Sequence, residues 1–383
     1  MSDTTTIEWT RNDDGTPGRT WNPFTGCTKI SPGCDNCYAE TIAERFRGSD
    51  AFPVGFDLQL RSPQTMNAPL TWRKPTRVFV NSMSDVFHDG IHDQDIIWMF
   101  AVMVHARRHT FQLLTKRHGR MRSLLNSPSF EHMVRHRAEV ALGPLTEKWQ
   151  WPLPNLWLGV SVENQKWADI RIPALLETPA AVRFLSCEPL LGPIDLCGPI
   201  VPGRGRPKLT YWLDGRPGWG PDQTDDRGRV FQELTVGPRI DWVIVGGESG
   251  RRARPMHPNW ARSLRDQCAA ADVPYFFKQW GEWGPAPFRV PVCDPDVGWT
   301  GTDAELAAAK TDSEARGATH VHTGQAHEDK GERVYWIHEI GHKPWSLERV
   351  GLPDNMAAIR RWGKTKAGRE LDGRTHDAFP RPR

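Results

Sequence analysis

Six stretches of the chain share one pattern, an apolar and β-prone run that stops abruptly at polar residues: 77–85, 110–117, 155–164, 182–188, 241–249 and 274–280. Short, nearly continuous apolar runs suit strands buried on both faces, as in a parallel sheet. Helical patterns separate several of them. Asp93 is placed to cap a helix whose body, 96–105, is apolar nearly all round. Trp167, Ile170 and Leu175 make an apolar stripe on the next, where Pro173 is expected to kink or end the helix. Trp260, Leu264 and Cys268 recur every four residues, on one helix face. A further helical segment, 38–47, follows Cys37. Strands alternating with helices predict βαβ units, and six to seven of them predict an α/β fold of the full or partial (β/α) barrel type. An open doubly wound sheet is the alternative. The barrel is expected over 1–290. An insertion at 198–238 is rich in Gly, Pro, Arg and Asp, and a polar one lies at 296–333; both are expected as surface excursions or mobile loops. Residues 291–383 then comprise an insertion and a basic extension packing on the barrel.

In parallel α/β folds ligands bind at the carboxyl ends of the strands. The polar residues that close the six runs therefore converge on one mouth. Asn81, Ser82, Ser84, Asp85, Lys116, Glu163, Gly246, Gly247 and Glu248 are the candidate cofactor contacts there; Cys187, Glu188 and Lys278 are the candidate catalytic residues. Strand ends are also polar simply because loops are wet, and it is the sixfold recurrence that points to a site. Cys187 could donate a hydrogen atom from its weak S–H bond, or be a packed strand cysteine. The 246–251 run, Gly-Gly-Glu-Ser-Gly-Arg, could cradle an anion or an adenosine, or be a turn.

Composition narrows the class. Hydrophobic residues are 38% of the 383 and charged residues 25%, a globular balance. The net charge of +3 does not by itself call for a nucleic-acid partner. Locally, Arg360, Arg361, Lys364, Lys366 and Arg369 surround Trp362, a pattern suited to phosphates and bases, or to a solvated basic tail. The start of the chain has no basic segment followed by an apolar run, and the longest apolar run, 96–104, is far short of a membrane span, so no membrane partner and a cytoplasmic compartment are expected. The 18 tryptophans offer core bulk and stacking platforms.

Cysteine placement is the sharpest signal. Of seven, Cys27, Cys34 and Cys37 crowd one loop, 20–40, turned by Gly26, Pro32 and Gly33. A disulfide framework would be spread through a smaller chain. Three readings compete. Zinc would need a fourth ligand, from His88, His92 or Cys187. The cysteines could be buried and inert. Or they hold a [4Fe–4S] cluster by three thiolates, leaving one iron open, as an enzyme needs and an electron carrier does not.

The stretches 6–10, 20–40, 81–88, 245–250, 276–281 and 367–374 resemble the bacteriophage three-cysteine-motif family, which has no established function. More distantly, a three-cysteine loop ahead of repeated βα units is similar to the radical S-adenosylmethionine superfamily. That resemblance implies Cys27, Cys34 and Cys37 as cluster ligands and a radical-SAM-like barrel. It further implies S-adenosylmethionine chelated by the open iron and cleaved by one-electron reduction to a 5′-deoxyadenosyl radical, and an electron donor such as a flavodoxin or ferredoxin. Phage-type kinship suggests a nucleobase or nucleic acid as substrate. The first Cys gap, six residues, is longer than the superfamily's usual one. The superfamily's Gly-Gly-Glu after the second strand is replaced here by 81–85, while a Gly-Gly-Glu occurs at 246–248. The non-enzymatic alternatives are a zinc- or iron–sulfur-stabilised nucleic-acid-binding or interaction protein, and an iron–sulfur redox sensor.

Overall fold

All six apolar runs are strands. The computed structural model describes residues 4–145, 148–198, 234–285 and 356–380, with short pieces between them. Strands β1 (Arg19–Trp21), β2 (Arg77–Val80), β3 (Thr110–Thr115), β4 (Leu156–Ser161), β5 (Val182–Cys187), β6 (Trp242–Gly246) and β7 (Tyr275–Gln279) form one seven-stranded sheet in that order. Every pairing in it is parallel, and the sheet curls into a half-barrel. β1 carries no apolar run; it is three residues long and falls where the sequence reads as the start of the cysteine loop.

Helices α1 (Tyr38–Arg45), α2 (Asp93–His105), α3 (His118–Leu125), α4 (Pro128–Leu142), α5 (Gln165–Leu176) and α6 (Pro258–Ala270) accompany the sheet. Three details depart from the sequence reading. His92, not Asp93, is the N-cap of α2; Asp93 sits in the first turn, where a carboxylate favours the helix dipole, and pairs with Arg120 at 2.5 Å. Pro173 lies inside α5 without ending it, and Ile170 is 41% exposed while Ala168, Arg171, Ile172 and Leu175 are buried. The pattern singled out no helix between 117 and 155. Yet α4 buries Phe130, Val134 and Ala138, one per turn.

Of the 198–238 insertion, Trp212 and Leu213 belong to the core, and Ile240 N–H donates to the Trp212 carbonyl at 2.8 Å. That part is not a surface excursion. Most of 296–333 falls outside the described residues. β8 (Trp283–Pro285), β9 (Val321–His322), β10 (Val334–His338) and β11 (Met356–Arg361) make a second, antiparallel sheet in the order β8-β11-β10-β9. No helix among the described residues is long and apolar enough to cross a membrane.

Strand side chains alternate between faces, so each strand serves two cores. The helix-facing core takes most of the aliphatic residues, with Trp21 and Cys187 among them. The concave face carries an aromatic cluster of Phe79, Trp157, Phe184, Trp242 and Phe276, plugged by Trp9 from the chain's start. Trp9 lies edge-on to Phe79 with ring centroids 4.6 Å apart. Its carbonyl accepts Gln112 Nε2 at 3.1 Å. Gly159 is required here, since a Cβ would stand 2.5 Å from the Phe184 ring. Arg77 closes the amino end of the half-barrel, donating to the Arg11 carbonyl and to Asp13, with its guanidinium over Phe379. Trp9 thus fills the interior of the half-barrel, and Trp21 packs on the helix side.

The C-terminal segment straps the free edge of β7. Phe277 N–H donates to the His376 carbonyl at 2.8 Å, Trp242 Nε1 to the Ala378 carbonyl at 2.8 Å, and Trp280 Nε1 to the Glu370 carbonyl at 2.8 Å. Removing the plug should be costly, because large aromatic truncations in a packed core cost about 3–5 kcal/mol. Trp9→Ala is expected to lose that much unfolding free energy in urea titration; a loss under about 1 kcal/mol would contradict the plug.

Candidate functional site

β1 delivers the chain to the carboxyl ends of the parallel strands, and the cysteine loop then runs across them. Asn22 Oδ1 accepts from Ser82 Oγ at 3.1 Å and from Met83 N–H at 3.2 Å. Gly26 N–H donates to the Met83 carbonyl at 3.0 Å. Gly26 has φ +89°, and a Cβ on it would lie 2.2 Å from the Asp57 carbonyl oxygen, so only glycine fits. These contacts seat Cys27 beside the end of β2. Farther on, Ser31 Oγ donates to Glu163 Oε1 at 2.7 Å, beyond β4. Gly33 packs so closely that a Cβ would stand 2.4 Å from the same oxygen. Asn36 Nδ2 then donates to Glu248 Oε2 at 3.1 Å, beyond β6. Cys37 is the N-cap of α1, and Tyr38 Oη returns to the Ser82 carbonyl at 2.5 Å. The loop thus spans the mouth from β2 through β4 to β6.

The predicted site residues fall into three groups. Several tie the mouth together. Asn81, with φ +57°, donates to Ser84 Oγ at 2.7 Å, and Ser84 Oγ donates to the Phe24 carbonyl at 3.2 Å. Asp85 accepts from Thr115 Oγ1 at 2.7 Å and from Lys116 N–H at 2.9 Å, lacing β2 to β3. Glu163 is fully buried and pairs with Arg171 at 3.0 Å, and Arg171 lies 4.1 Å over the Trp167 ring. Glu248 is gripped by Arg254 at 2.7 Å.

A second group faces the concave side by strand alternation. Lys116 Nζ reaches Ser161 Oγ at 3.2 Å, and Lys278 pairs with Glu188 at 3.0 Å. Gly246 makes room for that pair, since a Cβ would stand 2.4 Å from Glu188 Oε1. Gly247 is needed where β6 and β7 touch, its would-be Cβ 1.9 Å from the Trp280 carbonyl oxygen. Packing therefore accounts for both glycines.

Cys187 stands apart. It is completely buried on the helix side with Cys268, and burial pushes its thiol well above the ordinary range. The structure does not bring it to the face that carries Glu188. Of the basic C-terminal residues, Arg361 donates to the Arg251 carbonyl at 2.7 Å and Arg369 to the Lys278 carbonyl at 3.2 Å, fastening the strap. Lys364 and Lys366 are exposed. Arg360 is paired in β11 with Gly284 and Val334. Ser31, Asn36, Arg171 and Arg254 were missed in the sequence: Ser31 and Asn36 meet glutamates more than a hundred positions away, and Arg171 and Arg254, though eight and six positions from theirs, carry no pattern that marks a paired cation.

Of the suggested fourth ligands, His88 lies nearest the loop, with Nε2 3.0 Å from Thr28 Oγ1. His92 caps α2 and Cys187 is in the core. Among the described residues, no three His, Cys, Asp or Glu side chains converge as a single-ion site. A mononuclear zinc site draws thiolate sulfurs to ~3.8 Å of one another, given Zn–S bonds near 2.3 Å. Cluster thiolates bind separate irons and stand farther apart. Cys27, Cys34 and Cys37 are all partly exposed on one loop, and thiolates are the donor type that either group takes.

Burial, with Asp85 adding to it, pushes the Cys27 thiol up to about 11, against the opposing pull of Arg117. At pH 8 its thiolate fraction should be about a hundredfold below that of a free thiol. In metal-free protein, iodoacetamide labelling of Cys27 is expected to rise with pH toward that value, and Arg117→Met to push it higher. A midpoint near 9 by mass spectrometry would contradict this environment.

No curated protein and no solved structure matches the chain. A family model described as a protein of unknown function, DUF5131, matches residues 4–380, which takes in the half-barrel, the cysteine loop and the C-terminal strap. The chain belongs to that family.

Proposed function

We propose that this is a radical S-adenosylmethionine-type iron–sulfur enzyme of phage-type kinship, working in the cytoplasm. The observation that carries the reading is the position of the three-cysteine loop. It lies across the carboxyl-end mouth of a parallel half-barrel, above a wall with paired charges and an aromatic floor. Cys27, Cys34 and Cys37 would hold a [4Fe–4S] cluster through three irons. Bound there with S-adenosylmethionine, the cluster would supply one-electron cleavage of the sulfonium, drawing its electron from a flavodoxin- or ferredoxin-like donor.

The chain's own residues do the rest. Trp9, Trp157, Phe184 and Trp242 exclude water from the floor. Lys116, Ser161, Glu188 and Lys278 present donors and an acceptor to the polar groups of a bound molecule. Lys364 and Lys366 remain exposed and suit a nucleobase or nucleic-acid substrate's phosphates.

Anaerobically purified protein is expected to hold about four irons and four sulfides per chain. Cys27→Ala, Cys34→Ala and Cys37→Ala should each lose most of them. Stoichiometric zinc without iron would instead select the non-enzymatic reading, tested next by salt-sensitive nucleic-acid binding.

A further inference from the structure

We infer that Glu163 and Glu248, read from the sequence as cofactor contacts, are positioning residues that hold the 31–37 segment over the mouth, each braced by its own arginine. The inference deepens the proposed function and rests on it only for its redox readout.

The two anchors are built alike. On one side Arg171 Nη1 donates to Glu163 Oε2 at 3.0 Å and to the Ser161 carbonyl at 2.8 Å, fixing the carboxylate to β4. The other oxygen, Oε1, faces the loop and takes the Ser31 hydroxyl at 2.7 Å. On the other side Arg254 grips both Glu248 oxygens, at 2.7 and 2.9 Å, while its own backbone N–H adds a third bond at 2.7 Å. The same guanidinium donates to the Pro32 carbonyl at 2.7 Å and to Asp35 at 3.1 Å. Asn36 completes this side by bonding Glu248 and the Arg252 carbonyl at 2.9 Å. Both carboxylates are buried; Glu248 accepts four donors from the protein, and each oxygen of Glu163 accepts one. Bidentate and charge-assisted bonds of this kind fix geometry as well as adding energy.

The anchors differ in what they reach. The Glu248 side holds backbone, Asp35 and Asn36. The Glu163 side reaches a sulfur, since Ser31 Oγ lies 3.9 Å from Cys34 Sγ. Glu163 is thus one hydroxyl away from a proposed cluster ligand, and its negative charge is shared between Arg171 and Ser31. Arg171 Nε and Nη2 find no acceptor among the described residues, so Glu163 is that buried cation's one ionic partner. Truncating Glu163 would leave Arg171 buried and uncompensated, and the fold itself could fail. Ser31 and Arg254 are the safer handles.

The test has two parts. In metal-free protein, amide hydrogen exchange over 31–37 is expected to quicken about tenfold or more in Ser31→Ala and in Arg254→Ala, and further in the double variant. Amides of β3 to β6 should keep their wild-type protection, and Ser31→Thr should restore the loop. In iron-loaded protein, Ser31→Ala leaves more uncompensated negative charge facing Cys34, so the midpoint potential should move to more negative values and return with Ser31→Thr. Unchanged loop exchange in the double variant would overturn the positioning role. A protein that binds no iron would sink the cluster reading and leave the exchange result standing on its own.

Discussion

A parallel sheet that curls but does not close leaves a concave face and two edges, and both must be covered before any site can exist. In this chain the covering comes from its two ends. Trp9 enters the concave face from one side, and the segment carrying Phe379 straps β7 from the other, its ring 5.2 Å from that of Trp242. The aromatic floor that results is buried and closely packed toward the amino ends of the strands. The same strands turn polar at their carboxyl ends, with Ser161, Glu188 and Lys278 two positions beyond Gly159, Ser186 and Phe276. One alternating register therefore gives a packed base and an ionisable wall.

The cysteine loop closes over that wall. It is held at three strand ends rather than at its own two roots, and each hold uses a polar pair too distant in sequence to arise by local chain preference. The cost of burying Glu163 and Arg171 together makes sense in this setting. A buried ion pair is a poor source of stability but a good means of fixing one geometry, and here the geometry fixed is that of the segment bearing Cys34.

Much of this was legible in the sequence because it follows from period and composition. Unbroken apolar runs such as 78–80 and 242–245 have few alternatives to a buried parallel strand, and their polar endings fall where such sheets bind ligands. The crowding of Cys27, Cys34 and Cys37 was likewise visible. What failed to show has physical causes. β1 has no apolar run because its three residues pair on one side only, with β2. Ile170 looked like core and is exposed, because Arg171 takes the inward position to meet Glu163, and no hydrophobic pattern can foresee a buried cation. Gly246 and Gly247 read equally as a ligand cradle or a turn, and their close approaches to Glu188 and to the end of β7 depend on pairings that no local pattern shows.

The claim at the centre of this account is that the mouth performs reductive cleavage of S-adenosylmethionine, and product analysis tests it most directly. Protein reconstituted with iron and sulfide, reduced by dithionite and given S-adenosylmethionine, is expected to release 5′-deoxyadenosine. The Cys34→Ala variant should release none above the protein-free background. A wild-type protein that carries a reducible cluster yet yields no 5′-deoxyadenosine, with cofactor recovered intact, would contradict the account.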